Sequence, residues 1–326
     1  MNTKKQILAL LERNRGYTVS GESIAAKLGI SRNAVWKAVN ELKKSGYNIQ
    51  AITNKGYSLC EDNDILSVQG MLPFLNMQAI HPESIQVHAE LESTNKTAKE
   101  LAISGAEHGT VVIAEAQTAG KGRYGRGFHS PPNSGIYLSL VLRPEQLGFT
   151  TPTLITSFAA VAVCEAVETL TGKSPQIKWV NDVFLDRRKI CGILTEAVTD
   201  FESGGVQWLV LGIGVNFKAG RDSFPEEVRE IAGAVFDTDS EAVTITRNRL
   251  CAEIINYILA SDCDEKSMLE KYKQRLFVLG ETVKVISAEE SYQVVAIDLD
   301  EVGRLVVRKP NGEIVSLSSG EISIKI

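Results

Sequence analysis

A glycine-rich basic segment at residues 117–127, QTAGKGRYGRG, limits what this chain can fold into more than any other feature. Its glycines leave backbone N–H groups accessible, and Lys121, Arg123 and Arg126 place three cations in the same loop. Accessible N–H groups and guanidinium forks suit the oxygens of a phosphate or an acyl-phosphate. We therefore predict an anion-binding loop that becomes ordered on its ligand. From this segment alone, an ordinary solvated basic loop stays open as the alternative.

The glycines of this loop also fit the G-x-G-x-x-G fingerprint of dinucleotide-binding folds, through Gly120, Gly122 and Gly125. That fingerprint requires a strand before it and a helix after it, with the pyrophosphate at the helix N-terminus. Residues 110–116, TVVIAEA, predict the strand. Residues 126–132, RGFHSPP, cannot begin a helix, because a glycine and two prolines interrupt them. The sequence therefore excludes a Rossmann-type nucleotide site.

Three further segments predict regular structure around this loop. Residues 178–196, KWVNDVFLDRRKICGILTE, predict a β-hairpin that turns at residues 186–188. Residues 209–217, LVLGIGVNF, predict a strand whose glycines let a ligand or another backbone approach closely. Residues 92–98, ESTNKTA, predict the capped start of a helix. Taken one at a time, each of these segments is ordinary structure.

Together, in this order and spacing, they resemble the biotin protein ligase family over about residues 87–216. The glycine–basic loop and the Lys-Trp-x-Asn-Asp…Arg-Lys-x-x-Gly-Ile segment carry the resemblance. This chain has Val180 where bacterial members usually have proline, Lys121 where arginine is frequent, and Phe128 where tryptophan is common. Lys121 keeps the charge but not the bidentate fork, and Phe128 keeps an aromatic face for stacking. The chemistry is expected to survive these departures.

The resemblance implies a biotin–[acetyl-CoA-carboxylase] ligase, which uses ATP, biotin and Mg²⁺. It would form biotinyl-5′-AMP and then transfer biotin to a lysine of the biotin carboxyl carrier domain of acetyl-CoA carboxylase and related carboxylases. Lys189 and Arg123 would be its catalytic residues, at the α-phosphate, and Asp182 is a candidate Mg²⁺ ligand. The resemblance implies these biotin-binding residues: Ser93, Thr94, Asn95, Gln117, Gly120, Lys121, Gly122, Arg123, Lys189, Gly192 and Gly214. It implies these ATP- or AMP-binding residues: Arg123, Arg126, Phe128, Asn181, Lys189 and Asn216.

The N-terminal residues predict a winged helix-turn-helix. Residues 3–11 have helical apolar spacing, and residues 20–31 read as a helix, a tight turn at Gly29 and a new N-cap at Ser31. The next helix is expected to run to about Ser45. Two short strands, at residues 47–52 and 56–59, then flank a basic tip that contains Lys55.

Charge favours DNA as the partner of this module over a second protein. Residues 1–60 hold ten Lys and Arg against three Asp and Glu, a net charge of +7, so the other 266 residues carry −12 of the total −5. Such a basic patch is the usual electrostatic footprint of a DNA-binding domain, although a charge run is often only a solvated face. The expected DNA-binding residues are Arg32, Asn33, Trp36, Lys37 and Lys55. The resemblance adds that some biotin ligases act as the biotin operon repressor, with biotinyl-AMP as corepressor of a homodimer on operator DNA.

We therefore expect an α+β multidomain chain. Its 326 residues, with 44% hydrophobic content, suit two or three domains. The predicted organisation is a winged helix-turn-helix at 1–62, a linker at 63–82, a central α/β ligase domain with a mixed sheet at 83–276 and a C-terminal SH3-like β-barrel at 277–326. Four short alternating strands after Gly280 predict the barrel.

Composition favours a cytoplasmic protein without a membrane segment. The longest apolar stretch, residues 154–167, is too short to cross a bilayer and reads as a buried helix against the sheet. No apolar leader follows Lys4 and Lys5. The five cysteines are an odd count without C-x-x-C spacing, so reduced thiols are expected rather than a disulfide or zinc framework.

Two other functions remain open at this point. A lipoate-type protein ligase shares the central fold and the adenylation step, although the loop at Gly120–Arg123 and the Lys178–Trp179 pair favour biotin. A biotin-sensing transcription factor that has lost catalysis is the second alternative. The presence of both Lys189 and Arg123 argues against it.

Overall fold

The computed structural model describes residues 2–146, 154–199, 206–238, 245–286, 291–318 and 321–323. It divides into two compact units. The N-terminal unit comprises Met1–Glu83 and Thr244–Asn256, and the large unit comprises Ser84–Val243 and Tyr257–Ile326. Within the described residues, no helix is both long and apolar enough to cross a bilayer.

The N-terminal unit contains the predicted winged helix-turn-helix. Its helices are α1 (Thr3–Arg13), α2 (Gly21–Leu28) and α3 (Arg32–Lys44), and its wing consists of β1 (Ile49–Ile52) and β2 (Gly56–Leu59) in antiparallel register. Ser20 and Ser31 cap α2 and α3 through their side chains, and Gly29 between the two helices has the left-handed conformation that the tight turn requires. The apolar faces form one core: Ile7, Leu8, Leu10, Leu11, Ile24, Ala25, Val35, Ala38, Val39, Leu42, Ile49 and Leu59.

A buried ion pair holds the segment that follows the wing. Arg247, at the start of α7 (Arg247–Leu259), is fully buried, and its Nε donates to Oδ2 of Asp64 at 3.0 Å. The backbone N–H of Arg247 donates to the other carboxylate oxygen at 2.7 Å. Next to it, the side chain of Asn248 accepts from the N–H of Ser67, immediately before the short helix α4 (Val68–Met71). Helix α4 in turn packs against α1. The linker is therefore built into the N-terminal unit by polar contacts that apolar periodicity does not reveal.

The large unit is built on a seven-stranded mixed sheet with the order β3-β4-β5-β9-β8-β7-β6. Only β3 and β4 run parallel among these described strands, and the other neighbours are antiparallel. Their bounds are β3 (Ile85–Leu91), β4 (Thr110–Gln117), β5 (Gly135–Leu142), β6 (Gln176–Lys178), β7 (Asp182–Leu185), β8 (Arg188–Thr199) and β9 (Val206–Asn216). Asp186 and Arg187 turn the predicted hairpin between β7 and β8, with φ of 49° and 64°. Strand β8 therefore begins at Arg188, which the sequence placed in the turn.

Three helices complete this unit. Helix α5 (Thr94–Ile103) follows β3, and α8 (Glu265–Arg275) precedes the C-terminal strands. Helix α6 (Ile155–Thr171) is the buried helix predicted from residues 154–167, and it packs against β7, β8 and β9. Its buried residues, which include every position from Ser157 to Cys164, lie on more than one side of the helix. Gly172 ends it in the left-handed conformation.

The C-terminal strands form a five-stranded antiparallel sheet with the order β13-β12-β11-β10-β14. They are β10 (Thr282–Ile286), β11 (Ser291–Leu299), β12 (Leu305–Arg308), β13 (Ile314–Leu317) and β14 (Glu321–Ser323). Among the described residues no ladder joins β13 to β14, so a closed barrel stays a prediction. The turn between β11 and β12 reaches the central sheet, where the carbonyl of Gly303 accepts the indole N–H of Trp179 at 3.1 Å.

The ion pair in the N-terminal unit leads to a stability prediction. Asp64→Ala leaves the buried Arg247 guanidinium without its carboxylate, which should destabilise this unit by about 3–5 kcal/mol. Urea unfolding, monitored by hydrogen exchange of the backbone amides in α1 and α3, measures the loss in free energy of unfolding. Asp62→Ala is the control, because the exposed Asp62 carboxylate makes a hydrogen bond to Asn48 and should contribute less than about 1 kcal/mol. Equal stability of the two variants would contradict a structural role for the pair.

Candidate functional site

A cavity of about 300 Å³ lies in the large unit. Every residue that the sequence singled out for biotin, nucleotide or Mg²⁺ lines it, except Gly120. Gly120 lies at the base of the loop, where its carbonyl accepts from the N–H of Phe128 at 2.8 Å. A Cβ on Gly120 would come within 2.6 Å of the Phe128 carbonyl oxygen and 2.7 Å of the Ser130 hydroxyl. The missing side chain thus allows the two ends of the loop to close together.

The glycine–basic loop follows β4 and leads towards β5. All of its residues are described, and they contain no α-helix. A single 3-10 turn at Arg123–Gly125 replaces the helix that a dinucleotide fingerprint would require, so the exclusion from the sequence is confirmed. Tyr124 has φ of 57°, and the Arg123 guanidinium lies 5.1 Å from the centre of its ring. The same guanidinium donates to Oδ1 of Asn181 at 3.2 Å. The Arg123 side chain is thereby fixed between its own loop and Asn181, the residue before β7.

The cavity wall is strongly cationic. Five cationic residues lie in its described wall, against the single carboxylate of Asp182: Lys121, Arg123, Arg126, Lys178 and Lys189. The Lys189 ammonium lies 2.7 Å from Oδ1 of Asp182, and the two side chains are 31% and 21% exposed. This excess of positive charge can hold two anionic reactants together and screen their repulsion.

Asp182 was the residue considered for Mg²⁺. Its buried Oδ1 faces the Lys189 ammonium without regular hydrogen-bond geometry, so it retains coordinating capacity. In the part of the chain that the structure describes, no group of three His, Cys, Asp or Glu side chains could hold a metal by itself. Mg²⁺ commonly binds one or two carboxylates together with substrate phosphates and water. The donor set therefore fits Mg²⁺ that arrives with a nucleotide.

Aromatic and small residues form the floor of the cavity. Gly192 and Gly214 are cross-strand neighbours on β8 and β9. A Cβ on Gly214 would lie 2.6 Å from the Phe128 ring, and one on Gly192 would lie 3.3 Å from the Lys189 side chain. The ring of Phe128 therefore occupies the space that the two glycines create, with Tyr137 edge-on behind it at 6.3 Å.

A wall segment at residues 224–232 was not found from the sequence. Phe224, Val228, Ile231 and Ala232 line the cavity, although no motif marks them. The Nδ2 group of Asn216 donates to the carbonyl of Gly233 at 2.9 Å and so ties this segment to the end of β9. Two exposed apolar side chains on it, Val228 and Ile231, are the one local signal of a ligand-facing surface.

Uncharged polar groups form another part of the wall, here called the polar end: Ser93, Thr94, Asn95 and Gln117. Ser93 occupies the N-cap position of α5, but its side chain makes no capping hydrogen bond. The backbone N–H of Thr94 donates to Oε1 of Gln117 at 2.8 Å. The Nε2 group of Gln117 donates to the Ser130 hydroxyl at 2.9 Å, which connects this end to the base of the loop. Ser130 gives no signal in the sequence, since an isolated serine before two prolines reads as loop.

A buried thiol lies beside the site. Cys191 lies on β8 between Lys189 and Gly192, and complete burial raises the pKa of its thiol well above the usual value. Burial likewise raises the pKa of Cys164 to about 12. Protonated thiols of this kind are poor nucleophiles and pack as small apolar side chains.

In the N-terminal unit, α3 exposes the face that the sequence assigned to DNA. Arg32, Asn33, Trp36 and Lys37 are all exposed, with Trp36 54% accessible, whereas Val35, Val39 and Leu42 are buried on the opposite face. Lys55 is exposed at the tip of the wing. An exposed tryptophan among cations is unusual for a solvated face and suits contact with a partner.

Comparison with known proteins agrees with this arrangement. The family model of the biotin/lipoate A/B protein ligases matches residues 87–216, an HTH domain model matches residues 3–58, and the biotin protein ligase C-terminal domain model matches residues 278–325. The chain is 33% identical over 327 residues to the bifunctional ligase/repressor BirA of Bacillus spizizenii, with 98% of each chain covered. The chain belongs to the bifunctional ligase/repressor family.

Further proteins resemble the chain over most of its length. The bifunctional ligase/repressor BirA of Escherichia coli is 29% identical over 326 residues, covering 98% of this chain and 96% of that one. Among solved structures, the biotin protein ligase from Aquifex aeolicus in complex with biotin and ATP is similar with a TM-score of 0.61 and 27% identity. It covers 73% of this chain and 97% of that chain.

The position of Lys189 leads to a kinetic prediction. Lys189→Ala removes the ammonium that faces the cavity beside Asp182, and adenylate formation should fall by ~10²–10³, the usual effect of losing one preorganised charge. Pyrophosphate release in a single turnover measures it. Lys266→Ala, an exposed lysine on α8, is the matched control and should react at the wild-type rate. Pyrophosphate release near the wild-type rate from the Lys189 variant would contradict its role.

Proposed function

We propose that the protein is an ATP-dependent biotin ligase that forms biotinyl-5′-AMP and transfers the biotinyl group to a lysine of a biotin carboxyl carrier domain. We also propose that it represses transcription of biotin genes when the adenylate is bound. The observation that carries the ligase is one cavity whose wall combines five cations with a set of uncharged polar groups. These two sets of groups suit an anionic adenylate and a ureido ring on one ligand.

The first half-reaction needs positioning more than covalent chemistry. The biotin carboxylate attacks the α-phosphorus of ATP, the bond to the β-phosphate oxygen breaks, and pyrophosphate leaves. In this proposal Lys189 and Arg123 hold the α-phosphate, because both cations line the cavity and each is held by a partner in its wall. Mg²⁺ neutralises phosphate charge when bound, with Asp182 as its protein ligand.

The nucleotide would occupy the side of the cavity bounded by the residue 224–232 segment. Asn181 and Asn216 each have one amide group fixed to the backbone, and their remaining groups and the Phe128 ring are proposed to contact adenine. Arg126 is proposed to bind phosphate oxygen. Movement of Phe128 onto adenine would also expose Gly192 and Gly214 to the valeryl chain and the sulfur-containing ring.

The second half-reaction requires no nucleophile from this chain. The ε-amine of the acceptor lysine attacks the acyl carbon of the mixed anhydride, AMP leaves, and the amine loses a proton. Unmodified acceptor would therefore deplete the adenylate, and scarcity of acceptor would let it accumulate. An adenylate that binds the DNA-competent dimer better than the monomer would then act as corepressor.

The proposal includes four domain limits: 1–62, 63–82, 83–276 and 277–326. It also includes closure of the C-terminal strands into an SH3-like barrel. A cytoplasmic location is proposed from the five free thiols. Acceptor carboxylases, operator DNA and a second copy of the chain are the proposed partners.

Choice of acid substrate tests the ligase against both alternatives. Biotin carries ureido N–H donors that can satisfy oxygens at the polar end of the cavity, whereas the dithiolane ring of lipoate has none. A site built to pair a polar group rejects an analogue that lacks it by ~10⁴–10⁵, and we expect a preference for biotin of about that size in kcat/KM. AMP release with ATP, carrier domain and each acid is the measurement. Equal rates would favour a lipoate-type ligase, and biotin binding without AMP release would indicate an inactive sensor.

Repression leads to a separate prediction. Biotinyl-AMP should promote a dimer that binds a two-fold symmetric operator, because one α3 presents few base-reading side chains and half-sites multiply them. Sedimentation with and without the adenylate, beside operator titration, measures the link. Lys55→Ala should lower the slope of log affinity against log salt by about one if Lys55 contacts phosphate, whereas the control Lys309→Ala should not. An unchanged monomer with unchanged operator affinity would refute the corepressor role and leave the ligase standing.

A further inference from the structure

Three small or apolar positions align across the centre of the large sheet, beneath the polar end of the cavity. Ser139 on β5 pairs with Gly212 on β9, which pairs with Leu194 on β8. The side-chain amide of Asn95, from the first turn of α5, lies directly over Gly212. A Cβ on Gly212 would be 2.0 Å from Oδ1 of Asn95, so only glycine admits the amide at this depth.

Both hydrogens of the Asn95 amide have acceptors within the protein. Its Nδ2 donates to Oε2 of Glu196 at 2.8 Å and to the carbonyl of Leu194 at 3.4 Å. An ionised carboxylate and a carbonyl can only accept hydrogen bonds. Glu196 therefore determines which way the amide faces, and Oδ1 of Asn95 has to point towards Ser139.

The Ser139 hydroxyl links the orientation of the Asn95 amide to the orientation of the Thr94 hydroxyl. It lies 2.6 Å from Oδ1 of Asn95 and 2.8 Å from the hydroxyl oxygen of Thr94, and it carries one hydrogen. Because Oδ1 cannot donate, the single Ser139 hydrogen goes to Asn95. The Thr94 hydroxyl can donate either to Ser139 or to Oε1 of Gln117, 3.2 Å away, and we assign its hydrogen to the shorter contact, with Ser139. Ser139 is fully buried, so water cannot supply an alternative partner.

The cavity wall then presents oxygen lone pairs. Thr94 Oγ1 has committed its hydrogen to Ser139, and Oε1 of Gln117, 3.2 Å away, already accepts the backbone N–H of Thr94. Two acceptors this close repel each other unless a donor lies between them. An N–H of the ligand supplies that donor.

We infer that Glu196 and Ser139 are positioning residues that fix the hydrogen-bond polarity of the biotin pocket. Among the described residues, neither side chain is part of the cavity wall, which includes Thr94, Asn95 and Gly212. Glu196 acts through Asn95 and Ser139 to present Thr94 and Gln117 as acceptors to the ureido ring. The identity of the ligand rests on the proposed function, whereas the polarity of the relay rests on the contacts within the protein.

Glu196→Gln tests the relay, because glutamine has the same size and can donate as well as accept. The Asn95 amide can then turn over, and the direction of the Ser139 and Thr94 hydroxyls is no longer imposed. We expect the dissociation constant for biotin, measured by calorimetry, to rise about tenfold. Glu90→Gln, an exposed glutamate on β3 of the same sheet, is the matched control and should bind biotin as the wild type does. Unchanged affinity in Glu196→Gln would overturn the inference.

A second ligand separates altered polarity from general loosening. Biotin analogues with a ring oxygen in place of one ureido N–H place an acceptor against Thr94 Oγ1 and Gln117 Oε1, where biotin places a donor. For at least one of the two regioisomers, we expect wild type to bind biotin about 10²-fold more tightly than the analogue. This ratio of affinities should fall about tenfold in Glu196→Gln and in Ser139→Ala. Desthiobiotin retains the ureido ring and should keep its affinity ratio to biotin in every variant. A similar shift in both ratios would indicate loosening and overturn the inference.

The ligand-free protein supplies a readout that does not depend on the proposed function. With ¹⁵N-labelled asparagine, the side-chain NH₂ signal of Asn95, assigned by its loss in Asn95→Gln, should exchange slowly with water in wild type. Exchange should be at least about tenfold faster in Glu196→Gln, since glutamine can also donate and no longer holds the Asn95 amide in one orientation. Equally fast exchange in both would refute the relay. A wild type that shows the slow signal but does not bind biotin would instead refute the proposed function.

Discussion

A hollow in the centre of a seven-stranded sheet is the constraint on which the site depends. Sheet interiors are normally filled by side chains, and Gly192, Gly212 and Gly214 remove them from one region of β8 and β9. Groups from outside the sheet then occupy the space: the Asn95 amide over Gly212 and the Phe128 ring over the other two. The same three glycines thus seat a helix N-terminus and the end of the basic loop against one surface.

The charged and the uncharged groups of the cavity wall are in different electrostatic surroundings. The cationic side chains lie near water and are partly paired, as in Lys189 with Asp182 and Arg123 with Asn181. The groups of the polar end are buried, so each has to find a partner or cost free energy. The chain of hydrogen bonds from Glu196 through Asn95 and Ser139 to Thr94 satisfies these groups and, in our inference, presents Thr94 and Gln117 as acceptors. In the proposed function, recognition of the ureido ring and binding of phosphate therefore use different sets of residues.

The N-terminal unit combines a regular module with an irregular attachment. Its three helices and wing share one apolar core, whereas the following segment is held by Arg15, Asp64 and Arg247. The Arg15 guanidinium donates to the carbonyl of Asn63 at 2.5 Å, within the same unit. Burial raises the pKa of the neighbouring Glu12, although its ion pair with Arg15 at 2.6 Å opposes the shift. Polar contacts of this kind specify one arrangement of a linker that has too few apolar residues to pack by itself.

Local patterns in the sequence determined the winged helix, the strands around the glycine loop and the cations that point to an anion, because caps, turns and periodicity act within about ten residues. The family resemblance supplied the candidate residues, and the cavity contains them all except Gly120. Only the tertiary structure decided that Phe128 fills the space over the glycines and that residues 224–232 form a wall. It also decided that Glu196 and Ser139 support Asn95. These contacts join residues 40 to 100 positions apart through strand register, and a one-residue shift would have directed Glu196 to the other face of the sheet.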